Sequence, residues 1–300
     1  MSRSLESFLE GAIDLHEHLG PSVIPRKLNV YEGALQARAA GMRGILVKDH
    51  QFPSMASVEV ARCVINDPNF FIGSCLVLNH ETGGFNVAAV ECAINMGVNM
   101  IWMPTISTQN HHDAHERSGL VFPASKKKIP TKPHGYIQLV GEDGNVVPAC
   151  REVLKTIALD PTVVLGTGHG FWTEIDAIIR AAKEEGIQKI IVNHPTYMID
   201  APMDVMKRWT ETEGVYLEFG VCTCDPEASC CNIEIGKVVE IIKTLGSAKL
   251  TLCSDYGQTN NPTPVEGLKH FIGLLREGGI SDEDLDIMLK KNPAEIMGLN

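Results

Sequence analysis

The segment Ala12-Ile13-Asp14-Leu15-His16-Glu17-His18 decides the fold. Three apolar or small positions, Ala12, Ile13 and Leu15, lead into two histidines that stand two positions apart. On a strand, side chains two positions apart point to the same face. Imidazole is a common ligand of first-row divalent metals, so the pair supplies half of a tetrahedral metal shell. A His-x-His alone is weak evidence, and its weight comes from the ligand types that end later strands.

Short apolar segments alternate with helical patterns along the rest of the chain. Seven more strands are expected in residues 44–50, 70–78, 100–103, 162–169, 190–195, 215–219 and 250–255. Helices are expected over 30–40, 54–65, 86–96, 148–159, 173–185, 202–212, 234–245 and 264–300, with Ser54 and Ser281 as caps. This alternation predicts a closed (β/α)8 TIM barrel of the α/β class. An open doubly wound sheet is the alternative, but no Gly-rich phosphate loop follows strand one.

The connection after strand four is unusually long. Residues 105–133 read as irregular, and the run Lys126–Lys128 reads as a solvated surface or as a rim that attracts anions. Residues 136–147 predict a hairpin on a loop. We therefore expect one barrel domain over residues 1–300, with a long irregular insertion at about 105–147 and a helical C-terminus.

Composition narrows the class of protein. The chain has 300 residues and a net charge of −11, which disfavours nucleic acid and anionic membranes as partners. No segment approaches the roughly 20 apolar residues of a membrane span, and residues 1–10 do not resemble a signal peptide. Nine cysteines, an odd number, predict free thiols in a reducing cytoplasm.

Polar side chains that can bind metal end nearly every predicted strand. They are His16, His18, Lys48, His50, His80, His169, His194, Glu218 and Asp255. The active site of such a barrel lies at the C-terminal ends of its strands, so these groups are expected to converge. Buried ionisable groups are costly unless they are paired or bound to metal. The joint pattern therefore predicts a metal site.

The pattern resembles the amidohydrolase superfamily of metal-dependent hydrolases. The matching elements, in the right order, are residues 14–18, His169, His194 and Asp255, and the closing segment Asn292-Pro293-Ala294. The resemblance covers almost the whole chain and is unspecific for the substrate.

The resemblance implies a role for each matched residue. His16, His18 and Asp255 hold the more buried metal ion, and His169 and His194 hold the more exposed one. Asp255 also accepts the proton of the attacking water. One or two divalent ions are implied, Zn²⁺ first, with Mn²⁺, Fe²⁺ and Ni²⁺ as alternatives.

Strand four departs from the superfamily. Two-metal members usually carry a carboxylated lysine or a glutamate there, and residues 101–104 offer neither. Lys48, after strand two, is the only lysine at a strand end. We expect Lys48 inside the mouth, either as a carboxylated ligand that bridges two ions or as an ammonium that binds substrate.

Several further residues are candidates for contact with substrate. They are His50, His80, His111, His112 and Glu218. A surface loop position is the alternative for the histidines, including the neighbouring His115, and a salt bridge is the alternative for Glu218. After strand seven, Cys222, Cys224, Cys230 and Cys231 allow a second zinc site. Their spacing departs from the usual Cys-x₂₋₄-Cys pairs, so free thiols are expected.

These expectations define a function. We expect an enzyme that uses a metal-activated water to hydrolyse a small amide, ester or lactone. A phosphoesterase or a decarboxylase on the same barrel is the enzymatic alternative. A barrel that binds metal or ligand without turnover is the other alternative. The partner is a small molecule, and a homo-oligomer is left open.

Overall fold

Eight parallel strands form one sheet in the order of the sequence. The computed structural model describes residues 3–120 and 134–299. The strands are β1 (Ile13–Glu17), β2 (Gly44–Val47), β3 (Phe71–Val77), β4 (Met100–Trp102), β5 (Val164–Gly166), β6 (Ile190–Asn193), β7 (Tyr216–Gly220) and β8 (Leu250–Cys253). Backbone hydrogen bonds from Asp255 N to His16 O (2.9 Å) and from His18 N to Tyr256 O (2.8 Å) join the two outer strands. The predicted (β/α)8 TIM barrel is therefore confirmed.

Helices connect consecutive strands and cover the outside of the barrel. In the described part of the chain they are α1 (Glu6–Leu9), α2 (Val30–Ala39), α3 (Met55–Ile65), α4 (Val87–Asn95), α5 (Gln109–Ser118), α6 (Pro148–Ile157), α7 (Trp172–Glu184), α8 (Met203–Glu211), α9 (Ile235–Leu245), α10 (Pro264–Glu277), α11 (Asp282–Asp286) and α12 (Asn292–Met297). A π-helical turn, Ile287–Lys291, leads into α12. Within the described ranges, no helix combines the length and the apolar character that crossing a bilayer requires.

Two apolar layers hold the barrel together. A large cluster packs between the sheet and the helices, and a smaller one fills the barrel interior. Because both faces of each strand are buried, the strand sequences are almost continuously apolar. Trp102 belongs to the inner cluster and lies 5.1 Å from the His16 ring, measured between ring centroids. The inner cluster is therefore the floor below the polar residues at the strand ends.

The C-terminal segment closes the opposite end of the barrel. The Asn292 side-chain amide donates to the carbonyls of Ser247 (2.8 Å) and Leu250 (2.6 Å), at the start of β8. Ile296, one turn later, packs into the inner cluster. The helical C-terminus predicted from the sequence thus plugs the N-terminal ends of the strands.

Part of the predicted irregular insertion is helical. Helix α5 begins directly after Thr108, whose hydroxyl accepts a hydrogen bond from His111 N at 3.2 Å. The helix has few apolar residues, so its sequence shows no helical period, yet Asn110, His111 and Ala114 form a buried face. Residues 121–133, with the lysine run 126–128, lie outside the described residues.

Two smaller predictions need correction. The predicted hairpin at 136–147 is shorter than expected: Val140 and Val146 form an antiparallel bridge, Val147 N donates to Leu139 O at 3.0 Å, and Gly141 N donates to Asn145 O at 2.8 Å. The Ser54 side chain does not cap α3, because its hydroxyl donates to Val47 O at 2.8 Å. At Ser54 the contact with Val47 replaces the local cap that the sequence suggested. The Ser281 cap is present, since its hydroxyl accepts from Asp284 N at 3.1 Å.

Candidate active site

The C-terminal ends of the strands bring histidines together around one carboxylate. Asp255 Oδ1 lies 3.2 Å from His16 Nε2 and 3.1 Å from His18 Nε2. Asp255 Oδ2 lies 3.7 Å from His194 Nε2. His16 is on β1, His18 follows it, and His194 and Asp255 come directly after β6 and β8. These four residues, which are far apart in the sequence, thus meet at the C-terminal end of the barrel, as the sequence predicted.

The backbone is locally unusual at two of these four residues. His194 and Asp255 adopt positive φ angles of 50° and 54°, which few non-glycine residues do. Strain of this kind often accompanies functional sites. Close by, Gly257 has a φ of 147°, and a Cβ there would lie 1.7 Å from His18 O. Only glycine lets the loop after β8 pass this close to His18.

The histidines present lone pairs, not protons, to the Asp255 carboxylate. His18 Nδ1 lies 3.1 Å from Lys48 O, and a carbonyl only accepts, so this nitrogen carries the proton. His16 Nδ1 lies 2.7 Å from Glu218 Oε2 and donates to it when the carboxyl is ionised. Burial lowers the pKa of both rings well below the usual value for histidine. Their Nε2 atoms are therefore acceptors, and both face a third acceptor, Asp255 Oδ1.

This donor set fits a divalent metal ion. The ligand atoms of His16, His194 and Asp255 lie within 4.8 Å of one another, and all three residues are buried. Neutral imidazoles with one carboxylate suit Zn²⁺ and neighbouring first-row ions. Acceptors gathered this closely repel one another unless a cation lies between them. The residues present therefore match the group that the superfamily resemblance implies.

Glu218 supports this cluster from below. Its side chain is fully buried, and it does not belong to the described residues that line the cavity above the cluster. Burial raises the pKa of Glu218 to about 7, and the Cys253 thiol donates to the same carboxyl. The expected contact with substrate is therefore replaced by a contact with His16. Carboxylates in this position orient a metal-binding histidine.

Lys48 lies inside the mouth. Its side chain is fully buried, with Nζ 3.0 Å from His16 Nε2 and 4.1 Å from the centroid of the Trp102 ring. Burial lowers the pKa of Lys48. The structure thus brings this lysine to His16, beside the Trp102 ring of β4.

His169 belongs to a second group of histidines beside the first. Its Nδ1 lies 3.0 Å from His111 Nδ1, and the two rings stack with centroids 5.1 Å apart. Its ring centroid is 5.5 Å from that of His194. His169 is not in the compact group formed by His16, His194 and Asp255. Among the described residues, a second group of possible ligands also contains His16, together with Glu218 and Cys253, and His169 belongs to neither group.

A cavity of about 430 Å³ lies above both groups. Of the predicted substrate contacts, His50 and His111 line it. His50 stacks on His18 with ring centroids 4.8 Å apart. His80 and His112 do not line the cavity, because they face loop carbonyls, those of Gly135 and Ile106. His80 therefore lies in the connection after β3, and His112 lies on the exposed face of α5.

The loop after β7 corrects the prediction of free thiols. Cys222 and Cys230 form a disulfide, and both line the cavity. A 3-10 turn, Val221–Thr223, reverses the chain, and Asn232 N donates to Thr223 O at 3.0 Å. This fold-back brings the two cysteine Cα atoms to 5.7 Å, which the spacing in the sequence does not reveal. Cys224 and Cys231 stay free, so no four-cysteine zinc site forms.

Arg26 is the residue that sequence reasoning missed. It lies in the loop between β1 and α2 and lines the cavity, with Nη2 3.5 Å from His18 Nδ1. The only signal was an arginine eight positions after His18, beyond the end of the strand. Tyr197 and Met198, after β6, also line the cavity and carried no signal.

A family model covers most of the barrel. Residues 11–218 match the model of DUF6282, described as a family of unknown function. The chain belongs to the DUF6282 family. None of the curated proteins matches this DUF6282 chain.

Several solved structures share the fold. An amidohydrolase from Pseudomonas aeruginosa is 10% identical, with a TM-score of 0.58 and coverage of 98% of this chain and 98% of that one. A dipeptidase described as a metallo peptidase is 13% identical, with a TM-score of 0.58 and coverage of 96% and 98%. A 2,6-dihydroxybenzoate decarboxylase is 13% identical, with a TM-score of 0.53 and coverage of 97% and 100%. At these identities the likeness concerns the fold alone, and it agrees with the (β/α)8 barrel.

Proposed function

We propose that this chain is a metal-dependent hydrolase that cleaves a small amide, ester or lactone. The observation that carries the proposal is the convergence of His16, His18 and His194 on the Asp255 carboxylate. The position of this cluster at the C-terminal end of a TIM barrel of eight parallel strands supports an active site there. Solved structures of the same fold that are named amidohydrolase and metallo peptidase support the reaction class.

The metal would be held by His16, His18, His194 and Asp255. A divalent ion in such a site acts as a Lewis acid that polarises a carbonyl and makes water more acidic. Zn²⁺ is our first choice, and Mn²⁺, Fe²⁺ and Ni²⁺ fit the same donors. We propose one ion for this ligand set. A second ion needs His169 together with a carboxylated Lys48.

Several side chains of the protein have further roles in the proposed reaction. Asp255 accepts the proton of the attacking water and passes it to the leaving group, because its carboxylate is the only one among the described cavity-lining residues. Glu218 holds the His16 ring in place through the 2.7 Å contact at Nδ1. His50 and His111 face the substrate from the cavity wall. Lys48 is either a substrate-binding ammonium or, once carboxylated, a ligand.

The test combines metal content with turnover. Purified protein is analysed for metal per chain and assayed on a panel of small amides, esters and lactones, before and after exhaustive chelation. We expect about one ion per chain and hydrolysis that chelation abolishes and Zn²⁺ restores. An intact-protein mass higher by one CO₂ on Lys48, with about two ions, would identify the bridged site. A rate that survives complete removal of metal would refute the proposal.

Decarboxylation is the second candidate, since the 2,6-dihydroxybenzoate decarboxylase shares the fold. Release of CO₂ from aromatic acids, with no hydrolysis of the panel, would favour it. Release of phosphate from phosphoesters would favour a phosphoesterase. Tight binding of metal and ligand without any turnover would favour a non-catalytic barrel.

We also propose that residues 1–300 form one domain that acts on a small molecule, with no nucleic-acid or membrane partner. We propose a cytoplasmic location, because seven cysteines are free thiols. The Cys222–Cys230 disulfide argues against this location, because disulfides persist in oxidising compartments. Thiol counting on protein extracted under acid quench measures which state exists in the cell. Light scattering of the purified protein gives the oligomeric state.

A further inference from the structure

The Arg26 guanidinium is held over the metal-binding residues by the backbone. Arg26 pairs with Gln258 in an antiparallel bridge, and Lys27 N donates to Gly257 O at 2.9 Å. These contacts tie the loop after β1 to the loop after β8, the loop that carries Asp255. Arg26 is therefore positioned by fixed backbone and not by a free loop.

No carboxylate among the described residues pairs with this guanidinium. No acidic oxygen of that part of the chain lies within the 4.0 Å of an ion pair, and the Arg26 Nε is buried without a hydrogen-bond partner. Asp49 and Asp255 act on Arg26 electrostatically. Asp49 Oδ1 accepts from Gln51 N and Phe52 N, each at 2.8 Å, and Asp49 Oδ2 is buried without a hydrogen-bond partner but forms no ion pair with Arg26.

The Asp255 carboxylate is engaged as well, since it faces His16, His18 and His194. Beside Arg26 in the chain, the cavity wall is apolar at Ile24 and Pro25. A guanidinium against such a wall is costly unless an anion pairs with it. Its planar fork of N–H donors matches a carboxylate, with two parallel hydrogen bonds.

We propose that Arg26 binds a carboxylate of the substrate, so that the substrates are small acids. The inference rests on the proposed function, because it assigns the substrate class of the same site. Arg26 Nη2 is 3.5 Å from one edge of the His18 ring, and the opposite edge faces Asp255. The carboxylate and the bond that is cleaved are therefore only a few bonds apart. N-acyl amino acids have this arrangement.

The experiment compares matched acids and amides. Zinc-loaded protein is titrated by calorimetry with N-acetylglycine and N-acetylglycinamide, with benzoylglycine and its amide, and with inorganic phosphate. We expect at least one acid to bind about 10- to 100-fold more tightly than its amide. Arg26→Met removes this preference and leaves the affinity for the amide unchanged. Arg26→Lys, which keeps the charge but loses the fork, retains part of it.

Lys27→Met is the matched control, because Lys27 is the exposed neighbour of Arg26 and does not line the cavity. It should keep the preference for acids. Zinc content and thermal unfolding verify that each variant is folded and loaded. Equal affinity of acid and amide in every pair, or a preference that persists in Arg26→Met, overturns the inference. Binding of phosphate but of neither acid also overturns it.

The same titrations separate this inference from the proposed function. Amine release is followed in parallel on each amide-bond compound. Acids that bind through Arg26 without turnover would uphold the inference and count against hydrolysis. Hydrolysis with no preference for acids would do the reverse. If acids are cleaved, Arg26→Met should raise KM about 10-fold or more, whereas a purely structural role would lower the folded fraction instead.

Discussion

Replacing Glu218 by glutamine tests the metal site without touching a ligand. Glu218 Oε2 lies 2.7 Å from His16 Nδ1, and both side chains are fully buried. Glutamine has the same shape but no negative charge, and it offers either a neutral oxygen or an NH₂ group to the His16 N–H. The His16 ring then loses the partner that fixes its orientation and raises the basicity of Nε2.

The expected loss of affinity follows from the kind of contact. Removing such a partner typically weakens metal binding about 10- to 100-fold, which is about 1.4 to 2.8 kcal/mol. The short distance and complete burial of this pair place it toward the upper end. The assay is competition for Zn²⁺ against a chromophoric chelator at pH 8, where the carboxyl with a pKa of about 7 is ionised.

Glu295→Gln is the matched control. Glu295 Oε1 accepts from Tyr216 Oη at 2.7 Å, at the start of β7, and so contacts the same strand at its other end. This variant should bind Zn²⁺ like the unmodified protein. An affinity of Glu218→Gln within about twofold of the unmodified protein would falsify the assignment of His16 as a ligand supported by Glu218.

Three more predictions follow from the same geometry. Zinc affinity should fall as pH drops below about 7, because protonated Glu218 loses the negative charge that strengthens its hydrogen bond with the His16 N–H. The fall should be shallower in Glu218→Gln, and the chelator competition at pH 6 to 8 measures it. Asp255→Asn should lower kcat, expressed per bound metal, about 10²- to 10⁴-fold, because it removes the proton acceptor, and a rate within threefold would contradict that role. Gly257→Ala should reduce the free energy of unfolding by at least about 2 kcal/mol in urea titrations, because the new Cβ would collide with His18 O and φ is 147°. Gly236→Ala is the control and should not destabilise the protein, because there is open space around Gly236. Equal stabilities of the two variants would refute the argument.

Much of the candidate site could be predicted because it depends on strand ends. Each ligand follows a short apolar strand, and parallel strands in a barrel end at the same rim. This rule alone is enough to place four residues together: His16, His18, His194 and Asp255. In the structure the three histidines do contact Asp255. The position of Lys48 inside the mouth follows from the same rule.

Other features have no signature in the sequence. The contact of Glu218 with His16 joins residues 202 positions apart, and its 2.7 Å distance depends on the twist and closure of the barrel. The Cys222–Cys230 disulfide depends on a turn after β7. Helix α5 is nearly devoid of apolar residues, so only the surface on which it packs reveals its buried face.

The sequence by itself therefore determined the barrel, the order of its strands and the residues that end them. These are local properties, since each strand or helix is encoded by the period of its own apolar side chains. Only the tertiary structure decided which groups touch, including Arg26 beside His18 at the cavity wall. Contacts between distant loops depend on the backbone path of both loops, and the pattern of apolar residues in a loop does not predict that path.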